Sequence, residues 1–181
     1  DHKRNVLHRF MFSIKFSIFS ITGFLFFLSG LTALVYQIIW MRQLSLFFGS
    51  DIYATTITLG TFMAGLSLGS YISGSLGDNF KKPILIYGIL EIFIALCALL
   101  FPFILFGMDD TFRFIYQNYY IDQPLKYHLF RLLISIFTLL IPSIFMGATL
   151  PLLIRQFTKK KIELGEKVGF FYSINTFGAL T

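Results

Sequence analysis

The chain has 181 residues, 56% hydrophobic and 13% charged, with 24 phenylalanines and a mean hydropathy of +0.74. A water-soluble domain carries about twice that share of charge, so a soluble globular fold is excluded and the apolar excess suits a surface facing lipid. The formal net charge of +6 comes from short basic clusters between apolar runs. That is the pattern of cytoplasmic membrane loops, and it argues against nucleic acid as a partner.

The first fifteen residues hold Lys3, Arg4, Arg9 and Lys15 and read as a cytoplasmic N-terminal segment. They do not form a cleavable signal peptide, because the apolar run that follows is too long and has no small-x-small site. Residues 16–181 read as one transmembrane helical domain, with spans predicted over 16–40, 52–76, 84–106, 127–154 and 168–181. A helix rises about 1.5 Å per residue and the hydrocarbon core is about 30 Å thick, so the first two runs, both free of charge, are long enough to cross. Pro83 stands just before the third run, a position where the missing N–H costs nothing. The fourth run contains Pro142 and is expected to end around Pro151; the fifth stops at Thr181. The predicted fold class is therefore all-α, a polytopic helix bundle with four full transmembrane helices plus the start of a fifth. The chain begins without methionine and stops inside an apolar run, so it is expected to be a portion of a larger protein whose further helices and soluble part follow.

Basic residues divide unevenly between alternate loops. Eleven fall in the N-terminal segment, the second-to-third connection and the fourth-to-fifth connection, against four (Arg42, Arg113, Lys126 and Arg131) on the other side. The positive-inside rule then places the N-terminus in the cytoplasm of a multi-pass inner-membrane protein. The connection 107–126 is external, and its Tyr116, Tyr119 and Tyr120 are expected to anchor it along the outer surface.

In the second run Thr61, Gly65, Gly69, Ser73 and Gly77 recur every four residues, which lines small side chains along one helix face. In lipid, helices associate through close backbone contact, so Gly65, Gly69 and Ser73 are read as a packing face; the other reading is a substrate-lining groove.

Glu91 is the sharpest anomaly. It lies about seven residues into the third run, roughly 10 Å deep by helical rise. An ionisable group there costs about 2.5–3.5 kcal/mol on insertion scales, so it should face protein or water. It is read either as a proton or small-cation site, for example for a polyamine, or as a buried structural hydrogen bond. Asn175 in the fifth run and Thr149 in the fourth reach a similar depth and are its expected partners; Gln37 and Arg42 lie at the opposite face and are not.

Three further stretches stand out. In Tyr36-Gln37-Ile38-Ile39-Trp40-Met41-Arg42, an aromatic belt with a snorkelling arginine accounts for Tyr36, Trp40 and Arg42 but leaves Gln37 unexplained. In Gly74-Ser75-Leu76-Gly77-Asp78-Asn79-Phe80-Lys81-Lys82, Asp78 can cap the next helix or pair with a basic side chain. Met146-Gly147-Ala148-Thr149-Leu150-Pro151 reads as a helix ending, with Gly147 and Pro151 loosening the helix and Thr149 able to satisfy a freed carbonyl. The single cysteine, Cys97, allows no intramolecular disulfide, and His2, His8 and His128 have no metal-ligand spacing. There is no Gly-rich loop after a strand, no His-Glu-x-x-His and no cysteine pair, so no catalytic residue, metal or cofactor is assigned to this chain.

The Gly74–Lys82 stretch resembles an inner-loop motif of the major facilitator superfamily, departing from it at Asn79 and Lys81. Taken together, SGLTALVYQIIWMRQLSLFFGS (29–50), LGTFMAGLSLGSYISGSLGD (59–78), IPSIFMGATLPLLIR (141–155) and GFFYSINTFGA (169–179) resemble the membrane domain of the membrane-bound spermidine synthase-like proteins. The resemblance covers residues 24–181. It implies a multi-helix domain, related in appearance to half a major-facilitator transporter, preceding a soluble aminopropyltransferase domain that uses decarboxylated S-adenosylmethionine and a diamine. That domain lies outside this chain, so the enzyme assignment stays open. The implied role here is anchoring the soluble domain or handling its substrate. The rivals are half of a transporter for a polyamine or other small cation, and a membrane scaffold. The implied partners are the lipid bilayer, the further helices and soluble domain, and a small cationic substrate.

Overall fold

The computed structural model describes residues 2–48, 51–76, 80–107, 113–114, 117, 124–158 and 161–181. Among them every regular element is a helix: α1 (His2–Phe48), α2 (Asp51–Leu76), α3 (Pro83–Gly107), α4 (Pro124–Phe157), a short 3₁₀ turn (Lys161–Glu163) and α5 (Leu164–Leu180). Three helical stretches are long and apolar enough to cross a membrane, Ser17–Leu46, Pro83–Gly107 and Leu132–Phe157. The Gly-, Ser- and Thr-rich α2 is not one of them.

The basic N-terminal residues and the first apolar stretch share one helix, since α1 runs without a break for 47 residues and its apolar part begins at Ser17. One boundary differs from the sequence reading. The fourth helix does not end near Pro151: α4 carries both Pro142 and Pro151 in its interior and continues to Phe157. Each proline removes one backbone donor, but breaking the helix in an apolar medium would strand several more groups at a cost of several kcal/mol each. Continuing is cheaper. At the start of α3 the lost donor is harmless, because Pro83 sits in the first turn and the Lys82 carbonyl accepts from the N–H groups of Leu85 (3.2 Å) and Ile86 (3.3 Å).

The helices divide between two compact units, Asp1–Leu34 with Ile154–Thr181, and Val35–Leu153. In the first, the backbones of α1 and α5 meet. A Cβ added to Gly30 would overlap the Asn175 carbonyl, and one added to Gly178 would overlap the Phe27 carbonyl. Beside this contact Phe19 stacks on Phe170 (4.9 Å between ring centroids) and meets Phe157 (5.2 Å) and Phe171 (5.6 Å) edge-on. Phe171 is fully buried and also reaches Phe26 at 6.0 Å.

In the second unit, α2 and α4 are in backbone contact. A Cβ at Gly65 would collide with the Ser143 side chain, one at Gly69 with the Ile144 carbonyl, and one at Gly147 with the Leu66 carbonyl. Thr58, Thr61, Phe62 and Ser73 on α2 are buried, as are Leu139, Ser143, Met146 and Thr149 on α4. Lipid tails are as apolar as leucine, so such contacts hold through dispersion at close range, which only small residues permit. Phe93 of α3 reaches Phe145 of α4 at 5.9 Å, and Phe101 of α3 meets Trp40 of α1 at 5.4 Å. The opposite faces carry exposed Leu, Ile and Phe, including Ile92, Leu99, Phe103 and Phe106 on α3, as lipid-facing surfaces do.

Candidate functional site

The carboxylate of Glu91 is half-buried on α3 and hydrogen-bonds the hydroxyl of Tyr87, one turn earlier on the same helix. Side chains four apart share a helix face, and Tyr87 is itself buried, so the pair turns toward protein. The carboxylate thus acquires a partner from its own helix.

The two partners expected for Glu91 make hydrogen bonds elsewhere. The Asn175 amide donates to the Phe26 carbonyl at 3.0 Å, joining α5 to α1 inside the first unit. The Thr149 hydroxyl donates to the Met146 carbonyl at 2.7 Å, within α4. Pro151 leaves the carbonyl of Gly147 without its helical donor, so the hydroxyl of Thr149 serves a different carbonyl from the one the proline frees. The other α4 hydroxyls behave alike: Thr138 donates to Ile134 (2.7 Å) and Ser143 to Leu139 (2.7 Å).

Of the α1 stretch, Arg42 is exposed and Gln37 half-buried, whereas Trp40 is only 2% exposed. Trp40 stacks on Tyr36 (5.8 Å, rings 18° apart) and packs against Phe101, so it is a core residue and not part of an interfacial belt. Its ring fits between helices because burying an aromatic of that size gains more contact than an interfacial position offers. Gly147 is likewise a packing residue, in the middle of α4. Asp78, Asn79, Gly77, Tyr116, Tyr119 and Tyr120 lie outside the described residues. Cys97 is half-buried and free.

Gly65-Leu66-Ser67-Leu68-Gly69 matches the Gly-x-Ser-x-Gly pattern of a hydrolase nucleophile elbow, which requires a strand-to-helix turn. Here all five residues lie inside α2, and the Ser67 hydroxyl donates to the Met63 carbonyl at 2.9 Å. Its hydroxyl is spent within the helix. Among the described residues no group of three His, Cys, Asp or Glu side chains could hold a metal ion.

Sequence reasoning singled out Glu91 and missed Tyr87, although their i,i+4 spacing was visible. It also missed Gly30 and Gly178, whose role depends on which helices meet. No family model matches the chain, and no curated protein or solved structure matches it either.

Proposed function

We propose that this chain is the membrane domain of a spermidine synthase-like protein, crossing an inner membrane four times from a cytoplasmic N-terminus, with α5 beginning a fifth crossing. In this reading it is a rigid anchor that holds a soluble aminopropyltransferase domain at the membrane and brings a small amine substrate to it. The supporting observation is the tight closure of α2 on α4. The Gly65/Gly69 face is filled by the α4 backbone around Ser143 and Ile144, and Gly147 in turn receives Leu66. A substrate groove along that face has no room, which favours anchoring over passage between these two helices. Trp40, Gly147 and Thr149, all within the stretches that carry the resemblance, are buried. Architecture explains them better than ligand contact does.

A second reading, a polyamine or small-cation transporter, is supported by Glu91. A carboxylate within an apolar helix is a common cation or proton site, and Tyr87 holds it in one orientation.

Membranes containing this chain joined to the soluble transferase domain that the reading requires, given a labelled diamine and decarboxylated S-adenosylmethionine, separate the readings. Labelled spermidine is the expected product. Uptake of unmodified label into sealed vesicles without transfer would replace this reading with the transporter. Orientation is tested by cysteine labelling in intact cells: an impermeant reagent should label position 117 and spare position 160, and the reverse would overturn the orientation.

A further inference from the structure

We propose that the C-terminal end of the α2–α4 contact binds a structural water, which bridges the hydroxyl of Ser73 on α2 and the main-chain carbonyl of Gly147 on α4. The proposal rests on the packing of these two helices and is independent of the transferase and transporter readings.

Ser73 is only 5% exposed, and its Oγ is buried without a hydrogen-bond partner. The exposed hydroxyls of the same helix turn back on it. Thr56 donates to the Ile52 carbonyl (2.8 Å), Ser67 to Met63 (2.9 Å) and Ser75 to Ile72 (3.2 Å). Ser73 makes no such bond, and a hydroxyl buried without one is costly, above all in a membrane.

The glycine contacts fix what Ser73 faces. A Cβ on Gly65 would lie 3.2 Å from the Leu140 carbonyl oxygen and 3.2 Å from the Ile144 nitrogen. One on Gly69 would meet the Ile144 carbonyl and come within 3.0 Å of the Ala148 nitrogen. Four residues along α2 thus match four along α4, so the helices run in the same direction. The next step of four takes α2 to Ser73 and α4 to the turn from Ala148 to Leu152. That turn contains Pro151, which has no N–H to give the Gly147 carbonyl. The helix rises only about 1.5 Å per residue, so the oxygens of Gly147 and Ala148 lie side by side at this level. Gly147 and Ala148 also have the smallest side chains of the turn, and α4 presents backbone to Ser73 instead of bulk.

A buried hydroxyl and a carbonyl short of its donor therefore share one level of the contact without bonding each other. Water serves both. It accepts from the Ser73 hydroxyl and donates to the Gly147 carbonyl, and its second proton can go to the Ala148 carbonyl, within the two to four partners that a buried water takes. Ordered water is a common substitute for the bond that a proline removes from a membrane helix. Entry is short, because α2 ends at Leu76, one turn beyond Ser73. Thr58 is buried and unbonded too, but it precedes Gly65 by seven residues, at a level where α4 has no carbonyl freed by proline.

Two measurements on the full chain test the site. Ser73→Ala should raise the unfolding equilibrium constant in graded sodium dodecyl sulfate about fivefold, the effect of one net hydrogen bond. In a Pro151→Ala background residue 151 regains its N–H and the Gly147 carbonyl its helical donor. There the same change should act less than about twofold, because the two sites are coupled through the water. An equal effect in both backgrounds overturns the proposal, and so does no effect of Ser73→Ala in the otherwise unaltered chain. Crystals of the unaltered chain grown from a lipidic cubic phase, at a resolution that shows ordered water, give a readout that needs no variant. Density within hydrogen-bond distance of both Ser73 Oγ and the Gly147 oxygen is expected. Ser73 Oγ bonded straight to a protein carbonyl, with no water between, overturns the proposal.

Discussion

The side-chain amide of Asn175 on α5 donates to the main-chain carbonyl of Phe26 on α1 at 3.0 Å, one turn before the glycine that brings the two backbones together. The carbonyl of Phe26 also lies within reach of its own helical donor at Gly30, so the amide adds a second bond to an oxygen the helix already uses. Polar groups in lipid seek such partners because an unpaired amide there is costly. Asn175 is therefore a clasp across the α1–α5 contact.

Removing the clasp should weaken the contact without abolishing it. Asn175→Leu leaves the Phe26 carbonyl bonded within α1, so the expected loss is about 0.6–1.7 kcal/mol, the range of interhelical hydrogen bonds in membranes. Unfolding of the detergent-solubilised chain in graded sodium dodecyl sulfate measures it. A loss above about 3 kcal/mol would mean that the side chain does more than bond one carbonyl.

Two glycines on α2 should respond oppositely to the same substitution. Gly69→Ala places a methyl group against the Ile144 carbonyl and must push α4 away, at a cost of about 1–3 kcal/mol or more. Gly74→Ala meets nothing within 4 Å and should be neutral or stabilising by up to about 1 kcal/mol through helix propensity. The same unfolding measurement on both variants decides it. Equal effects would contradict the α2–α4 contact.

Tyr87 and Glu91 should be energetically coupled. Tyr87→Phe removes the hydroxyl and keeps the ring, while Glu91→Gln keeps the shape and removes the charge. A double-mutant cycle of Tyr87→Phe with Glu91→Leu, which leaves no acceptor, should return a coupling of about 0.5–1.5 kcal/mol, because each of these single changes already removes the bond the other would lose. A coupling near zero would refute the pairing. If Glu91→Gln also abolishes polyamine uptake while the fold is retained, the transporter reading gains; unchanged activity leaves a structural bond.

Trp40 is the single tryptophan, so its fluorescence reports one environment. Buried between Tyr36 and Phe101, it should emit at short wavelength and resist quenching by aqueous acrylamide. Phe101→Ala should cost about 3–5 kcal/mol and open the indole to quencher. A tryptophan at the lipid–water boundary would show neither change.

The sequence alone determined the class of this protein. Runs of twenty-odd residues without charge can satisfy their backbone in lipid only as helices, so length and composition imposed an all-α architecture before any contact was known. The four-residue spacing of Gly65, Gly69 and Ser73 marked a face suited to close packing, because period and side-chain size are local properties. Partners are not local. Gly147 looked like a helix ending because glycine and proline loosen an isolated helix; against the Leu66 carbonyl the same glycine is what lets α4 approach α2. Trp40 looked interfacial by its distance along α1, and Phe101, sixty-one residues away, made it core. Glu91, expected to need a neighbouring helix, has Tyr87 one turn away, while Asn175 serves Phe26 across 149 positions of chain. Depth along a helix follows from counting residues. The direction a side chain faces, and what it meets there, depends on how the helices come together, and only the tertiary structure decided that.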